Sequence, residues 1–135
     1  QNIFLVDDTL ERNIALGIKY DDIDNERLAD TIKQSQLEEF IASLPEGIKT
    51  RVGESGIRLS GGQKQKIAIA RSLYHQPQVI IFDEASSALD VNTEEEIFNS
   101  VTKIEDKTII IVTHRFSSLK NCNKVIDLQE GKILT

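Results

Sequence analysis

The chain has 135 residues, of which 39% are hydrophobic and 28% charged, with a formal net charge of −6. This is an ordinary soluble balance and enough length for one domain with a modest core. The acidic total argues against a nucleic-acid-binding surface, and no apolar run approaches the roughly 20 residues that a membrane-spanning helix needs. A single cysteine, Cys122, excludes an internal disulfide, and His75 and His114 stand far apart with no cysteine cluster that would suggest zinc.

The chain begins at Gln1, contains no methionine and shows no signal-peptide pattern. Gln1 to Val6 reads as the middle of a sequence, so the expectation is a part of a longer protein. Thr9 to Leu16 predicts a short helix capped by Thr9, with Leu10 and Ile14 inward and Arg12 and Asn13 outward. After the polar break Tyr20-Asp21-Asp22, Asp24 or Asn25 caps a helix whose inward positions are Leu28, Ala29 and Ile32. Leu37, Phe40, Ile41 and Leu44 form a second helical stripe, stopped by Pro45 and Gly47. Residues 46–56 are turn-rich, and a longer helix runs from about Ser60 to His75, closed by Gln76-Pro77.

The pattern then changes. Val79-Ile80-Ile81-Phe82 and Thr108-Ile109-Ile110-Ile111-Val112 are continuous, β-branched apolar runs, as expected of strands buried on both faces. Between them Asn92 or Thr93 starts a helix with Ile97, Phe98 and Val101 inward. Phe116 to Lys120 predicts a short helix, and Val125–Leu128 and Lys132–Leu134 predict a hairpin around Glu130-Gly131. Strands alternating with helices imply an α/β fold with a parallel sheet, here preceded by an α-helical part.

The run Leu59-Ser60-Gly61-Gly62-Gln63-Lys64-Gln65-Lys66 organises the chain. Ser60 and Gln63 have capping-box spacing ahead of the apolar run Ile67–Ala70. Gly61 and Gly62 each cost roughly 1 kcal/mol relative to Ala inside a helix. Two of them at one helix start suit a backbone that must come close to a ligand. Lys64 and Lys66 in the first turn oppose the helix dipole unless an anion binds there.

Asp83 and Glu84 follow the first buried strand directly, where ligands of parallel sheets bind. Such an acid suits Mg²⁺, and the next one is placed to take a proton from an attacking water. Taken alone, the two leave open the lesser reading of solvated acids at a strand end. His114 follows the second strand by two residues and falls on the same sheet edge, as a phosphate or water donor or as a satisfied structural histidine. Asp90, in Ser87-Ala88-Leu89-Asp90, reads by itself as a turn or cap residue.

Together these residues closely resemble the nucleotide-binding domain of ATP-binding-cassette (ABC) proteins. Leu59–Gln63 matches the LSGGQ signature, and Val79–Glu84 resembles the Walker B strand with its aspartate and catalytic glutamate. Ser87–Asp90 matches the D-loop, His114 the switch histidine and Gln1 the Q-loop glutamine, all in the family's order. The segments Gln1–Leu5, Thr9–Ile14, Leu44–Gly47 and Val52–Gly56 are similar to exporter-type members, with Glu54 in the region that contacts the membrane domains. Lys64 and Lys66 stand where arginines are common, and Ile48 replaces a frequent tyrosine. The Walker A run G-x-x-x-x-G-K-[ST] does not occur in these 135 residues; in the family it lies upstream of the Q-loop.

The resemblance implies a partial P-loop ATPase core: residues 1–8 the Q-loop, 9–76 a helical subdomain with the signature, and 77–135 the α/β core. It implies that ATP and Mg²⁺ are the cofactors and that two cassettes close head to tail over two nucleotides. Ser60, Gly61, Gly62 and Gln63 would then contact the γ-phosphate held by the partner cassette, with Asp90 coupling the two sites. Asp83 and Gln1 would support Mg²⁺, Glu84 would activate water, and His114 would hold the γ-phosphate and water in line. The parent protein would be an exporter with a transmembrane domain and its cassette on the cytoplasmic face. The fragment alone is expected to be inactive. Two other readings stay open: a soluble ABC ATPase acting on nucleic acid or ribosomes, and a non-catalytic truncated cassette.

Overall fold

The computed structural model describes residues 3–54, 56–84, 88–104, 106–115, 119–120, 122–130 and 132–134. The chain opens with a two-residue strand β1 (Asp8–Thr9) and helix α1 (Leu10–Ile14), capped by Thr9, whose side chain accepts from the Arg12 amide. Leu10 and Ile14 are buried as expected, but so is Asn13, which corrects its outward placement. The Val6 N–H donates to Asn13 Oδ1 and Asn13 Nδ2 donates to the Val6 carbonyl, both at 3.0 Å. An amide satisfied in both senses can sit inside, and here it ties the incoming strand to the helix.

Helix α2 (Asn25–Gln34) is capped by Asp24. Its inward stripe is Leu28, Thr31 and the partly buried Ile32, continued by Ser35 just past its end, and Ala29 is exposed. Ser35 Oγ donates to the Thr31 carbonyl at 2.8 Å, so a hydroxyl occupies an apolar stripe without an unmet hydrogen bond. Helix α3 (Glu38–Ala42) follows. The turn-rich stretch holds a strand that its composition concealed, β2 (Arg51–Val52), which pairs antiparallel with β1. Gly53, at φ 106°, carries the chain past Asp7 so closely that a Cβ there would lie 2.8 Å from the Asp7 Cα.

Helix α4 (Gly61–Tyr74) joins the two halves. Ile67, Ala70 and Tyr74 pack with Leu10, Ile14, Leu28, Leu37 and Val52, whereas Ile69 and Leu73 join a second cluster with Ile80, Phe82, Leu89, Ile97, Phe98 and Val101. Service to two cores explains the unbroken Ile67–Ala70 run, and each buried Leu or Ile contributes roughly 1.5–3 kcal/mol. Arg71 reaches back from α4, donating Nε to the Asn13 carbonyl at 2.8 Å and Nη1 to the Phe4 carbonyl at 3.0 Å.

Strand β3 (Val79–Asp83), helix α5 (Val91–Val101) and strand β4 (Thr108–Val112) form the α/β part. β3 and β4 pair in parallel, from Val79 opposite Thr108 to Asp83 opposite Val112. The α/β class with a parallel sheet behind a helical front is the architecture expected from the sequence. Burial on both faces is not: Ile80 and Phe82 are buried, but Val79, Ile81, Ile110 and Val112 are exposed. Side chains alternate across a strand, and α4 and α5 cover one face only; no described element covers the other. Helix α5 begins earlier than expected, at Val91, because Asp90 is its cap. The chain closes in the expected hairpin, β5 (Asp127–Gln129) with β6 (Lys132–Leu134). The Phe116–Lys120 helix falls largely outside the described residues.

Candidate functional site

The parallel register brings the ends of β3 and β4 to one edge. Beyond Asp83, the Glu84 N–H donates to the Val112 carbonyl at 3.0 Å, so the pairing runs one residue past the strand. Glu84 sits in the left-handed region at φ 48°, uncommon for a residue with a Cβ. Thr113 and His114 leave β4 alongside it, and His114 Nε2 lies 3.3 Å from Glu84 Oε1. The His114 and Glu84 side chains are 90% and 56% exposed, open to an incoming ligand. Asp83 is also exposed. No group of three or more His, Cys, Asp or Glu side chains among the described residues is arranged to hold a metal. A lone exposed carboxylate nevertheless fits Mg²⁺, which keeps several waters and takes phosphate oxygens rather than a protein cage. Gln1, the other expected metal contact, lies outside the described residues.

A second group of residues surrounds the start of α4. Ser60, Gly61, Gly62 and Gln63 line an open cleft of about 480 Å³ with Lys66, Ala88, Leu89 and Asp90. The predicted capping box is present: the Ser60 N–H donates to Gln63 Oε1 at 2.8 Å, and the Gln63 N–H donates to Ser60 Oγ at 3.2 Å. This exchange uses acceptors on both side chains and leaves donors: the Ser60 hydroxyl, the Gln63 amide NH₂ and the first N–H groups of the helix. A donor-rich helix start suits an anion.

The glycines also have a packing role that the sequence did not reveal. A Cβ on Gly61 would lie 3.2 Å from the Ala88 Cβ, and one on Gly62 would lie 3.1 Å from the Ala88 carbonyl oxygen. Lys66 is partly committed, since its ammonium donates to the Gln36 carbonyl at 3.0 Å. Asp90 caps α5 by accepting from the Thr93 N–H at 3.0 Å. That backbone bond, then the Thr93 side chain and the nearby Lys66 charge, hold its carboxyl below the usual value. The cleft lining includes none of Asp83, Glu84 and His114.

Two polar side chains that the sequence reading passed over support this region. Gln65 Oε1 accepts from the Ala88 N–H at 2.9 Å, and Arg115 Nη1 donates to the Leu89 carbonyl at 3.3 Å and pairs with Glu94. Gln65 offered a signal, since it stands four residues before the buried Ile69 on the same helix face; Arg115 offered none.

Residues 3–87 match the family model described as ABC transporter. The chain belongs to the ABC transporter family. Over 135 residues it is 42% identical to the putative multidrug export ATP-binding/permease protein YgaD of Bacillus subtilis and 43% identical to an ATP-dependent lipid A-core flippase of Legionella pneumophila. Both alignments cover 99% of this chain and 23% of the relative, so the ABC transporter chain spans about a quarter of their length. A solved bacterial Atm1-family ABC exporter with ATP bound superposes with a TM-score of 0.87 at 36% identity, over 100% of this chain and 24% of that one. No helix among the described residues of this ABC transporter chain is long and apolar enough to cross a membrane.

Proposed function

We propose that this chain is the signature-to-switch part of an exporter cassette, and that the intact protein hydrolyses ATP to drive transport across a membrane. The observation that carries the reading is the approach of Glu84 and His114 at the carboxyl edge of a parallel sheet, directly beyond Asp83. The exporter and flippase names of the relatives support export over a soluble nucleic-acid role.

In this reading Glu84 accepts the proton of the attacking water, and His114 donates Nε2–H to the γ-phosphate and keeps the water in line. Asp83, with Gln1, would hold Mg²⁺, which when bound draws negative charge from the phosphate oxygens. The donors left at the α4 start, from Ser60, Gly61, Gly62 and Gln63, meet the γ-phosphate of a nucleotide carried by a second, head-to-tail cassette. Asp90 beside them couples the two sites. Phosphoryl transfer asks mainly for such positioning and charge stabilisation. The cassette works at the cytoplasmic face against a transmembrane domain, and the exposed face of β3 and β4 packs against other parts of the cassette. Lacking a G-x-x-x-x-G-K-[ST] run, the 135 residues alone bind ATP weakly or not at all.

Glu84→Gln in the full-length protein tests the reading. ATP binding should persist while steady-state hydrolysis is abolished; turnover near the unsubstituted level would remove Glu84 as the base.

A further inference from the structure

Arg115 lies one residue beyond His114, and its side chain turns away from the sheet edge. Nη1 pairs with Oε2 of Glu94, a side chain with no exposed surface in the first turns of α5. The same nitrogen donates to the Leu89 carbonyl at 3.3 Å. The Arg115 N–H donates to Thr113 Oγ1 at 3.0 Å, which folds the backbone back around His114. From the other side, Gln65 of α4 holds the Ala88 N–H at 2.9 Å. The segment carrying Asp90 is thus gripped between the signature helix and the loop of His114.

A carboxylate buried at the start of a helix is costly unless paired, so the Glu94–Arg115 geometry is strongly specified. One guanidinium nitrogen serves both the carboxylate and the carbonyl. Displacing His114 relative to Asp90 therefore strains a charge pair whose carboxylate is fully buried and whose guanidinium is partly exposed. We infer that Arg115, with Glu94, is a positioning pair that holds the His114 loop in register with the Asp90 segment. It sets turnover rather than nucleotide affinity. This inference rests on the reading of His114 given above.

The test uses ATP hydrolysis by the full-length protein. Glu94→Gln/Arg115→Gln removes both charges of the pair together, so neither is left without the other. It should lower kcat about 10- to 100-fold, the scale of a misplaced reacting group, with KM for ATP within about twofold of the unsubstituted protein. Arg115→Lys, which keeps a donor cation, should recover most of the loss. A double variant with native circular dichroism and unchanged kcat overturns the inference, as does a loss confined to thermal stability. If the double variant does not fold, Glu94→Gln alone serves, because the half-exposed guanidinium can then take water; the same kcat loss is expected, and unchanged kcat overturns the inference. His114→Ala separates the two levels. Unchanged turnover there overturns the reading of His114 itself, whereas lost turnover there with unchanged kcat in the double variant overturns the positioning pair alone.

Discussion

His114 Nε2 and Glu84 Oε1 lie 3.3 Å apart although thirty positions of sequence separate the residues. The contact follows from the parallel register of β3 and β4 and from the left-handed backbone at Glu84, which turns the residue after Asp83 out of the strand path. With Glu84 as base and His114 as the donor that orients phosphate and water, His114→Ala in the full-length protein should lower kcat by about 10²- to 10⁴-fold with little change in ATP binding. Nucleotide affinity lost in parallel with kcat would make the histidine a ligand anchor instead.

The glycines of the signature serve two roles that one pair of variants separates. Gly62→Ala meets the Ala88 carbonyl at 3.1 Å, a contact that a small shift relieves, so ATPase activity should fall only a few-fold. Gly62→Asp adds a negative charge beside the helix-start donors and should abolish activity. Equal losses in the two variants would mean that packing, not an anion, explains the glycine.

Asp90 makes one part of stability pH-dependent. Its folded carboxyl is held below the ordinary value of 3.8, first by the Thr93 N–H. Its contribution is therefore fully present above that value and is lost as pH falls through the lower folded value. Asn caps a helix about as well but does not titrate. In thermal melts of a cassette carrying this chain, any advantage of the parent over Asp90→Asn should be fully present near neutral pH and shrink over the acid range below the ordinary value of 3.8. A difference constant across that range would contradict the assignment.

Gly53 is required by the path of the backbone. Gly53→Ala combines a φ of 106° with a Cβ placed 2.8 Å from the Asp7 Cα, a backbone atom rather than the end of a flexible side chain. The substitution should cost about 2 kcal/mol or more and separate β1 from β2. Chemical denaturation would detect this as a lower midpoint at unchanged slope; a midpoint equal to the parent's would show that the turn can relax.

The helix starts at Thr9, Asp24 and Ser60 were legible because a cap acts on amides two or three residues away. The strands Val79–Asp83 and Thr108–Val112 were legible from their β-branched runs. Asn13 and Thr31 were misjudged or missed as inward residues because polarity is a poor guide once a side chain finds its hydrogen bonds inside the protein. β2 escaped notice because two residues carry no periodicity, and its pairing with β1 lies more than forty positions back in the chain.

The amino-acid sequence by itself determined the order of the motifs, the capping box at Ser60 and Gln63, and the placement of Asp83, Glu84 and His114 at strand ends. Each depends on residues within a few positions of one another, where backbone geometry alone sets the distances. Only the tertiary structure decided that Glu84 meets His114, that Gly61 and Gly62 pack against Ala88, and that Arg115 reaches the buried Glu94. It also left one face of β3 and β4 exposed, where the apolar runs had implied two buried faces. Those outcomes depend on the path of the whole chain: a contact between distant segments forms only when the packing on α4 and the parallel register have fixed both partners.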